Sequence, residues 1–90
     1  MNKHKTFDIW RNHIIQTKDI SPLQFGMSQE KVIEILGQPD AVSTMKIDGK
    51  PLILKYRDVE LHYDKRYGGG LFLVYSDYEI ELSIMQNESS

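Results

Sequence analysis

The sequence predicts an α+β fold in which two N-terminal helices pack on one face of a four-stranded antiparallel meander. Apolar residues recur at helical spacing in the first part of the chain, and after residue 40 they mostly alternate with polar ones. A length of 90 residues fits one domain. We therefore expect a single domain over residues 1–90, with flexible ends at residues 1–5 and 86–90.

The first helix is predicted from about Thr6 to Lys18. Asp8 would lie in its first turn, where the helix dipole favours a negative charge. Arg11 is expected to face water. The apolar stripe is Phe7, Trp10, Ile14 and Ile15.

The second helix has signals at both ends. Ser28 is a good N-cap, because its hydroxyl can accept a hydrogen bond from a free amide of the first turn. Gly37 can take the left-handed C′ conformation after the last turn, and Pro39 prevents continuation. The predicted buried stripe is Val32, Ile35 and Leu36.

The remaining chain is typical of antiparallel strands joined by short turns. Asp48-Gly49 indicates a two-residue hairpin, and Arg57-Asp58 and Asp77-Tyr78 indicate turns. The continuous apolar run Leu71–Tyr75 is expected to be covered on both faces. The strand segments are Ala41–Ile47, Leu52–Tyr56, Val59–Asp64, Leu71–Tyr75 and Ile80–Ile84, and we expect them to form a meander of about four strands.

A family resemblance rests on the segment Phe25–Asp40. It combines Gly26-Met27-Ser28, a short amphipathic helix ending in Leu36-Gly37, and Pro39-Asp40. This pattern resembles the opening of the SmpA/OmlA domain of the outer-membrane assembly lipoprotein family. The resemblance implies two helices packed on a small antiparallel sheet.

The resemblance does not imply membrane anchoring. Envelope members of that family carry a lipoprotein signal and a lipid-modified cysteine, whereas this sequence has no cysteine and a predicted helix where those members have the signal. Small folds of this kind without a signal resemble cytosolic adaptor, inhibitor and toxin-immunity proteins. The resemblance therefore implies action through a binding surface.

Composition narrows the function classes. The 11 basic and 13 acidic side chains give a formal charge of -2, which argues against a general nucleic-acid binder. With no cysteine, disulfides, thiolate nucleophiles and cysteine-bound zinc are excluded. No stretch approaches the roughly 20 apolar residues of a membrane span. We expect a cytoplasmic bacterial protein that has no cofactor and does not act on a membrane.

One strand carries a candidate chemical group. Glu60, His62 and Asp64 share its polar face. A histidine between carboxylates could bind a divalent metal or act as a general base. Side chains on a flat strand lie parallel and do not converge, which favours a solvated face. We therefore predict no metal and no enzymatic activity, with this face kept as an alternative ligand or metal site.

The loop around Gly68-Gly69-Gly70 precedes a strand and lacks a phosphate-loop lysine, which favours a flexible hairpin loop. Trp10, Tyr56 and Tyr63 fall on apolar phases and are expected in the core. Acidic residues concentrate in the last third of the chain and suit a basic partner. The candidate partner-binding residues are Glu60, His62, Asp64, Lys65, Arg66, Tyr67, Tyr75, Asp77, Tyr78, Glu79 and Glu81.

We therefore expect a non-catalytic module that binds another protein, most concretely an immunity-type inhibitor that neutralises a cognate toxin enzyme. Two alternatives stay open. One is a small ligand- or metal-binding domain that uses Glu60, His62 and Asp64. The other is a homo-oligomeric structural or adaptor protein that pairs through the last strand at Ile80, Leu82 and Ile84.

Overall fold

The computed structural model describes residues 3–78 and 80–84. It is an α+β structure with a five-stranded antiparallel sheet in the order β1-β4-β5-β6-β7 and a separate hairpin of β2 and β3. A 3₁₀ turn at Lys65–Tyr67 separates β5 from β6. The elements are α1 (Lys3–Thr17), α2 (Gln29–Leu36), β1 (Ala41–Val42), β2 (Lys46–Ile47), β3 (Lys50–Pro51), β4 (Ile53–Tyr56), β5 (Val59–Asp64), β6 (Gly70–Ser76) and β7 (Ile80–Ser83).

Helix α1 begins three residues earlier than predicted, at Lys3, so Asp8 does not lie in its first turn. Residues 3–5 of the expected flexible start are helical, while residues 1–2 and 86–90 lie outside the described residues. The helix ends before Lys18, whose φ of 62° leaves the helical region. Within the described residues, neither helix has the length and apolar character to cross a membrane.

Helix α2 has the predicted end signals. The Ser28 hydroxyl accepts a hydrogen bond from the Lys31 amide at 3.2 Å, and the Gly37 amide donates to Ile33 O at 2.7 Å. Gly37 has a φ of 89°, which favours glycine, but its ψ of -175° lies outside the left-handed helical region, so the predicted left-handed conformation is wrong. Val32 and Leu36 are buried, and Ile35 is partly buried. The N-cap at Ser28 and the end of the helix at Gly37 are therefore confirmed.

The start of α2 is joined to the start of β6 through two glycines. The Gly26 amide donates to Leu71 O at 2.7 Å, and the Leu71 amide donates to Met27 O at 2.9 Å. A Cβ added to Gly70 would lie 2.5 Å from Gly26 O. The absence of a side chain at Gly70 is therefore what lets the two backbones approach.

The predicted strand Ala41–Ile47 is wrong as a single element, because Ser43 divides it into β1 and β2. The Ser43 hydroxyl donates to Met45 O at 2.9 Å and accepts from the Leu52 amide at 3.0 Å, which turns the chain out of the main sheet. β1 still pairs with β4, so the sheet has five strands and the predicted four is wrong. The hairpin at Asp48-Gly49 is confirmed, with φ values of 55° at the aspartate and 80° at the glycine.

Strand pairing assigns alternate residues to opposite faces of the sheet. Two cross-strand rows form the covered face, which lies in the core: Leu54, Leu61, Val74 and Leu82, then Tyr56, Val59, Ser76 and Ile80. Two other rows form the open face, which we call the charged row (Lys55, Glu60, Tyr75 and Glu81) and the mixed row (Ile53, His62, Leu73 and Ser83).

The buried core draws on both helices and the covered face. The Phe7 ring of α1 stacks on the Tyr56 ring of β4 with centroids 5.8 Å apart. The predicted core positions of Trp10, Tyr56 and Tyr63 are confirmed. The buried apolar residues are Phe7, Trp10, Ile14, Ile20, Leu23, Val32, Leu36, Leu54, Tyr56, Val59, Leu61, Tyr63, Leu71, Val74 and Ile80.

Strand β6 is not covered equally on its two faces, contrary to the expectation for Leu71–Tyr75. Leu71 and Val74 are fully buried, whereas Phe72, Leu73 and Tyr75 are only partly buried. The pairing of β5 with β6 shifts register between His62 and Tyr63, which leaves Phe72 as an extra residue on β6. The bulge explains why an apolar run here does not follow strict alternation.

An ion pair and a further hydrogen bond connect α1 to the turn between β4 and β5 and to the end of β6. Arg11 donates to Asp58 through Nε at 2.9 Å and through its terminal nitrogen at 2.7 Å. The Ser76 hydroxyl donates to the same carboxylate at 2.8 Å. These hydrogen bonds hold the pKa of Asp58 below its usual range, and the bond from Arg11 contributes most. Arg11 is therefore a structural residue and does not simply face water.

Candidate functional site

The charged row places a tyrosine between two carboxylates on the open face. Tyr75 of β6 is directly opposite Glu60 of β5 on one side and Glu81 of β7 on the other. Directly opposed residues on neighbouring strands have Cβ atoms about 4.5–5.5 Å apart, so these three side chains share one small area. Lys55 extends the row beside Glu60.

A third carboxylate reaches the same tyrosine from the turn that follows β6. The Tyr75 hydroxyl donates to Asp77 Oδ1 at 2.8 Å. This hydrogen bond raises the pKa of Tyr75, and the charges of Asp77, Glu81 and Glu60 raise it further. The phenol is therefore held protonated within a concentration of negative charge.

Two shallow depressions lie beside this group. One has a volume of about 410 Å³ and is bounded by Lys55, Glu60 and Arg57, and the other has a volume of about 500 Å³ and is bounded by Glu81 and Leu82. Tyr75 and Asp77 line both of them. Tyr75 therefore contributes to two surface depressions, and the second of them extends to Ile80 and Leu82 of the covered face.

The mixed row continues into an aromatic stack. His62 lies edge-on to Phe72 with ring centroids 6.3 Å apart, and Phe72 stacks on Tyr67 at 5.3 Å. The Arg66 guanidinium lies 5.7 Å from the Tyr67 ring centroid, within the range of a cation–π contact. The side chains of His62, Phe72, Tyr67 and Arg66 therefore contact one another in turn along this surface.

The structure brings only two members of the predicted His-carboxylate group together. His62 Nε2 lies 3.0 Å from Glu60 Oε1. Asp64 instead accepts from the Arg66 amide at 2.9 Å and from its side chain, and these bonds lower the pKa of Asp64. In residues 3–78 and 80–84, no group of three or more His, Cys, Asp or Glu side chains is arranged to hold a metal ion.

The other predicted binding residues are dispersed. Tyr78 is 64% exposed, and the Arg11 guanidinium of α1 lies 6.0 Å from its ring centroid. Lys65 is exposed at the 3₁₀ turn. Glu79 lies outside the described residues.

Sequence reasoning missed Lys55, Leu73 and Phe72 as members of this surface. Lys55 could have been predicted, because it lies between the buried Leu54 and Tyr56 of its strand and must therefore face the other way. Leu73 and Phe72 were hidden in a continuous apolar run whose faces are assigned only by the register of β5 and β6.

Comparison with known proteins gives one family. A family model described as "Domain of Unknown Function with solved-structure structure (DUF3862)" matches residues 2–55, which is more than half of the 90-residue chain. The match spans both helices and the strands up to β4. No curated protein and no solved structure matches the chain significantly. The chain belongs to the DUF3862 family.

Proposed function

We propose that this chain is a non-catalytic module that binds another protein through the open face of its sheet, and that the partner presents lysine or arginine side chains. One observation carries the proposal: the Tyr75 ring stands between Glu60 and Glu81, with Asp77 on its hydroxyl. An aromatic face ringed by carboxylates favours a cation over any other side chain.

The surroundings supply the other properties of a protein interface. The partly buried Leu73 and Phe72 give apolar area next to the charged row. The stacked Tyr67 and Arg66 belong to the residue types enriched at interfaces. An apolar patch beside complementary charge combines affinity with a directed approach.

We also propose that both helices pack on the covered face of the sheet. The stack of Phe7 on Tyr56 supports it for α1. Val32 and Leu36 of α2 join the same buried cluster. With the helices on the covered face, the opposite face is left for a partner.

The finer role remains the one expected from the sequence, an inhibitor that neutralises a toxin enzyme in the cytoplasm. The acidic open face would suit an enzyme whose active-site rim is basic. The SmpA/OmlA resemblance stays a prediction. Self-association through β7 is the competing proposal, since Ile80–Ser83 lies at the edge of the described sheet.

The direct test is a titration of the ¹⁵N-labelled protein with a tetra-arginine peptide, followed by NMR. We expect saturable shifts at the amides of Glu60, Tyr75 and Glu81, weakening as salt is added. Tetraglutamate is the matched probe and should cause no such shifts. Shifts confined to other surfaces, or equal shifts with both peptides, would refute a cation-binding open face.

The partner itself is tested with paired charge reversals. Glu60→Lys with Glu81→Lys should weaken binding of a captured, identified and purified partner by at least about tenfold, or about 1.4 kcal/mol. Glu34→Lys on α2, where the side chain is 70% exposed, is the control and should bind as the parent does. A partner lost equally by both variants, or a dimer that β7 substitutions dissolve, would favour the competing proposal.

A further inference from the structure

His62 lies on the open face beside the charged row. It follows Glu60 by two residues on β5, and its Nε2 lies 3.0 Å from Glu60 Oε1. The His62 side chain is 23% exposed and that of Glu60 is 33% exposed, so the contact is partly shielded from water. Tyr75 of β6 lies opposite Glu60 and diagonal to His62. The charge of the imidazole therefore acts directly on one of the carboxylates that surround Tyr75.

Apolar and aromatic groups from the neighbouring elements surround the His62 ring. Ile53 of β4 and Leu73 of β6 lie directly opposite His62. The Phe72 ring meets the imidazole at an angle of 81°, and Tyr67 of the 3₁₀ turn stacks on Phe72. Phenols are neutral below about pH 8, so none of these four side chains supplies a counter-charge to an imidazolium.

Charged groups also approach His62 from β4, from its own strand and from the 3₁₀ turn. Lys55 of β4 lies opposite Glu60 and diagonal to His62. Asp64 of β5 accepts hydrogen bonds from the amide and the guanidinium of Arg66 in the 3₁₀ turn. Lysine, arginine and carboxylate side chains keep their charge between about pH 5.5 and pH 7.5, whereas histidine changes its charge in this range. A pH dependence of the open face within this range therefore points to His62.

We propose that protonation of His62 weakens the binding of a cationic partner at the charged row, so that the open face releases its partner as the pH falls below neutrality. The imidazolium sets a positive charge against Glu60, which lowers the attraction of that carboxylate for a second cation. Asp77 and Glu81 then supply the remaining attraction beside Tyr75. The effect rests on the proposed function, because it requires a cation bound beside Tyr75.

The size of the effect follows from the spacing of the strand. Alternate residues of a strand are about 7 Å apart, which sets the separation between the imidazolium and a cation at the charged row. One added charge at that distance, with an effective dielectric constant of about 35–80 at a water-exposed surface, weakens binding about three- to tenfold. Added salt reduces this factor.

The probe is N-acetyl-tetra-arginine amide, because it carries neither a free amine nor a free carboxylate that could titrate in the same range. It is titrated into the ¹⁵N-labelled full chain at about pH 5.5 and pH 7.5 and at one low ionic strength. The amide shifts of Tyr75 and Glu81 give the dissociation constant. We expect it to be about three- to tenfold higher at the lower pH.

The imidazole resonances provide a second, reciprocal measurement. Coupling between two ligands of one protein is the same in both directions, and the proton is one of the ligands here. The proton affinity of His62 should therefore fall by the same factor when the peptide saturates the protein. His13 of α1 lies 3.5 Å from Asp19 and outside the sheet, so its titration should not respond to the peptide.

Two histidine variants form a matched pair. His62→Gln keeps a hydrogen-bonding group but gains no charge in acid, so its dissociation constant should be the same at both pH values. His13→Gln removes the histidine on α1 and should retain the pH dependence of the parent. Circular dichroism at both pH values would confirm that the parent and the variants are folded.

The outcomes separate this proposal from the proposed function. Equal or tighter binding by the parent at the lower pH, or a pH dependence that His62→Gln retains, would overturn the role of His62 and leave cation binding intact. The absence of saturable shifts at both pH values would overturn both proposals.

Discussion

The covered and open faces of the sheet come from the same strands but carry different kinds of side chain. The row through Leu61 and Val74 on the covered face is 0% exposed at both positions. The charged row, one residue away on each strand, carries Glu60, Tyr75 and Glu81. Stability depends on one set of alternate residues and the proposed binding on the other, so substitutions on the two faces should have separable effects.

The largest effect is expected from a matched pair of leucines on central strands. Leu61→Ala should lower the free energy of unfolding by about 2–5 kcal/mol, because it leaves a cavity in the core. Leu73→Ala on the open face should cost about 1 kcal/mol, because its side chain is only partly buried. Urea denaturation measures both, and equal losses would contradict the distinction between the faces.

Asp58 tests the contribution of the hydrogen bonds that connect Arg11 of α1 to the turn between β4 and β5. Asp58→Asn should lower stability at pH 7 by about 1.5–3 kcal/mol, since it weakens charged hydrogen bonds to Arg11 and Ser76. Asp8→Asn is the control, because the ion pair of Asp8 with Arg57 is about half exposed, and it should cost at most about 1 kcal/mol.

The same variant gives a pH dependence. The pKa of Asp58 is lowered in the folded state, so its contribution is present above the unfolded pKa of about 3.9 and is lost as pH falls through the folded pKa. The stability difference between the parent and Asp58→Asn should therefore be constant near neutrality and shrink below about pH 4. Denaturation curves between pH 7 and pH 2 would check this, and a difference that grows in acid would contradict it.

Gly70 tests the close backbone contact between Gly26, just before α2, and the start of β6. Gly70→Ala should cost about 1–3 kcal/mol, because the added Cβ would meet Gly26 O at 2.5 Å. Gly68→Ala has open space around its Cβ and should cost only the strain of its positive φ, about 1 kcal/mol. Thermal denaturation would compare the stabilities of the two variants. A larger loss for Gly68→Ala would show that the backbone at Gly26 moves to make room for the added Cβ at Gly70.

The smallest effect is expected on the charged row. Glu81→Lys should change stability by no more than about 0.5 kcal/mol, because the side chain is exposed. Leu82→Lys, on the next residue and the covered face, should cost at least about 1 kcal/mol through burial of a charge. Similar losses in the two variants would place Glu81 in the core and remove it from the proposed interface.

Local signals predicted the parts of the fold that depend on neighbours in sequence. Ser28 and Gly37 mark the ends of α2 because a side-chain hydroxyl and a missing Cβ each act on the adjacent backbone. Asp48-Gly49 marks its hairpin because both residues tolerate positive φ. Alternation placed Leu61 and Tyr63 in the core.

The candidate sites depended on contacts that sequence spacing does not contain. Glu60, Tyr75 and Glu81 come from three strands, and only their register makes them neighbours. The break at Ser43 depends on amides nine and ten residues away at Leu52 and Ile53. Asp64 does not join the group at His62, because its carboxylate accepts hydrogen bonds from the amide and the guanidinium of Arg66.

Short-range backbone preferences and strand alternation were enough to predict the α+β class, both ends of α2 and the buried side chains of β5. Tertiary structure alone decided the fifth strand, the bulge at Phe72 and the grouping of three carboxylates around Tyr75. It also decided that the Tyr63 hydroxyl is buried without a partner. These features arise from pairing between distant segments, and pairing energy depends on the whole sheet.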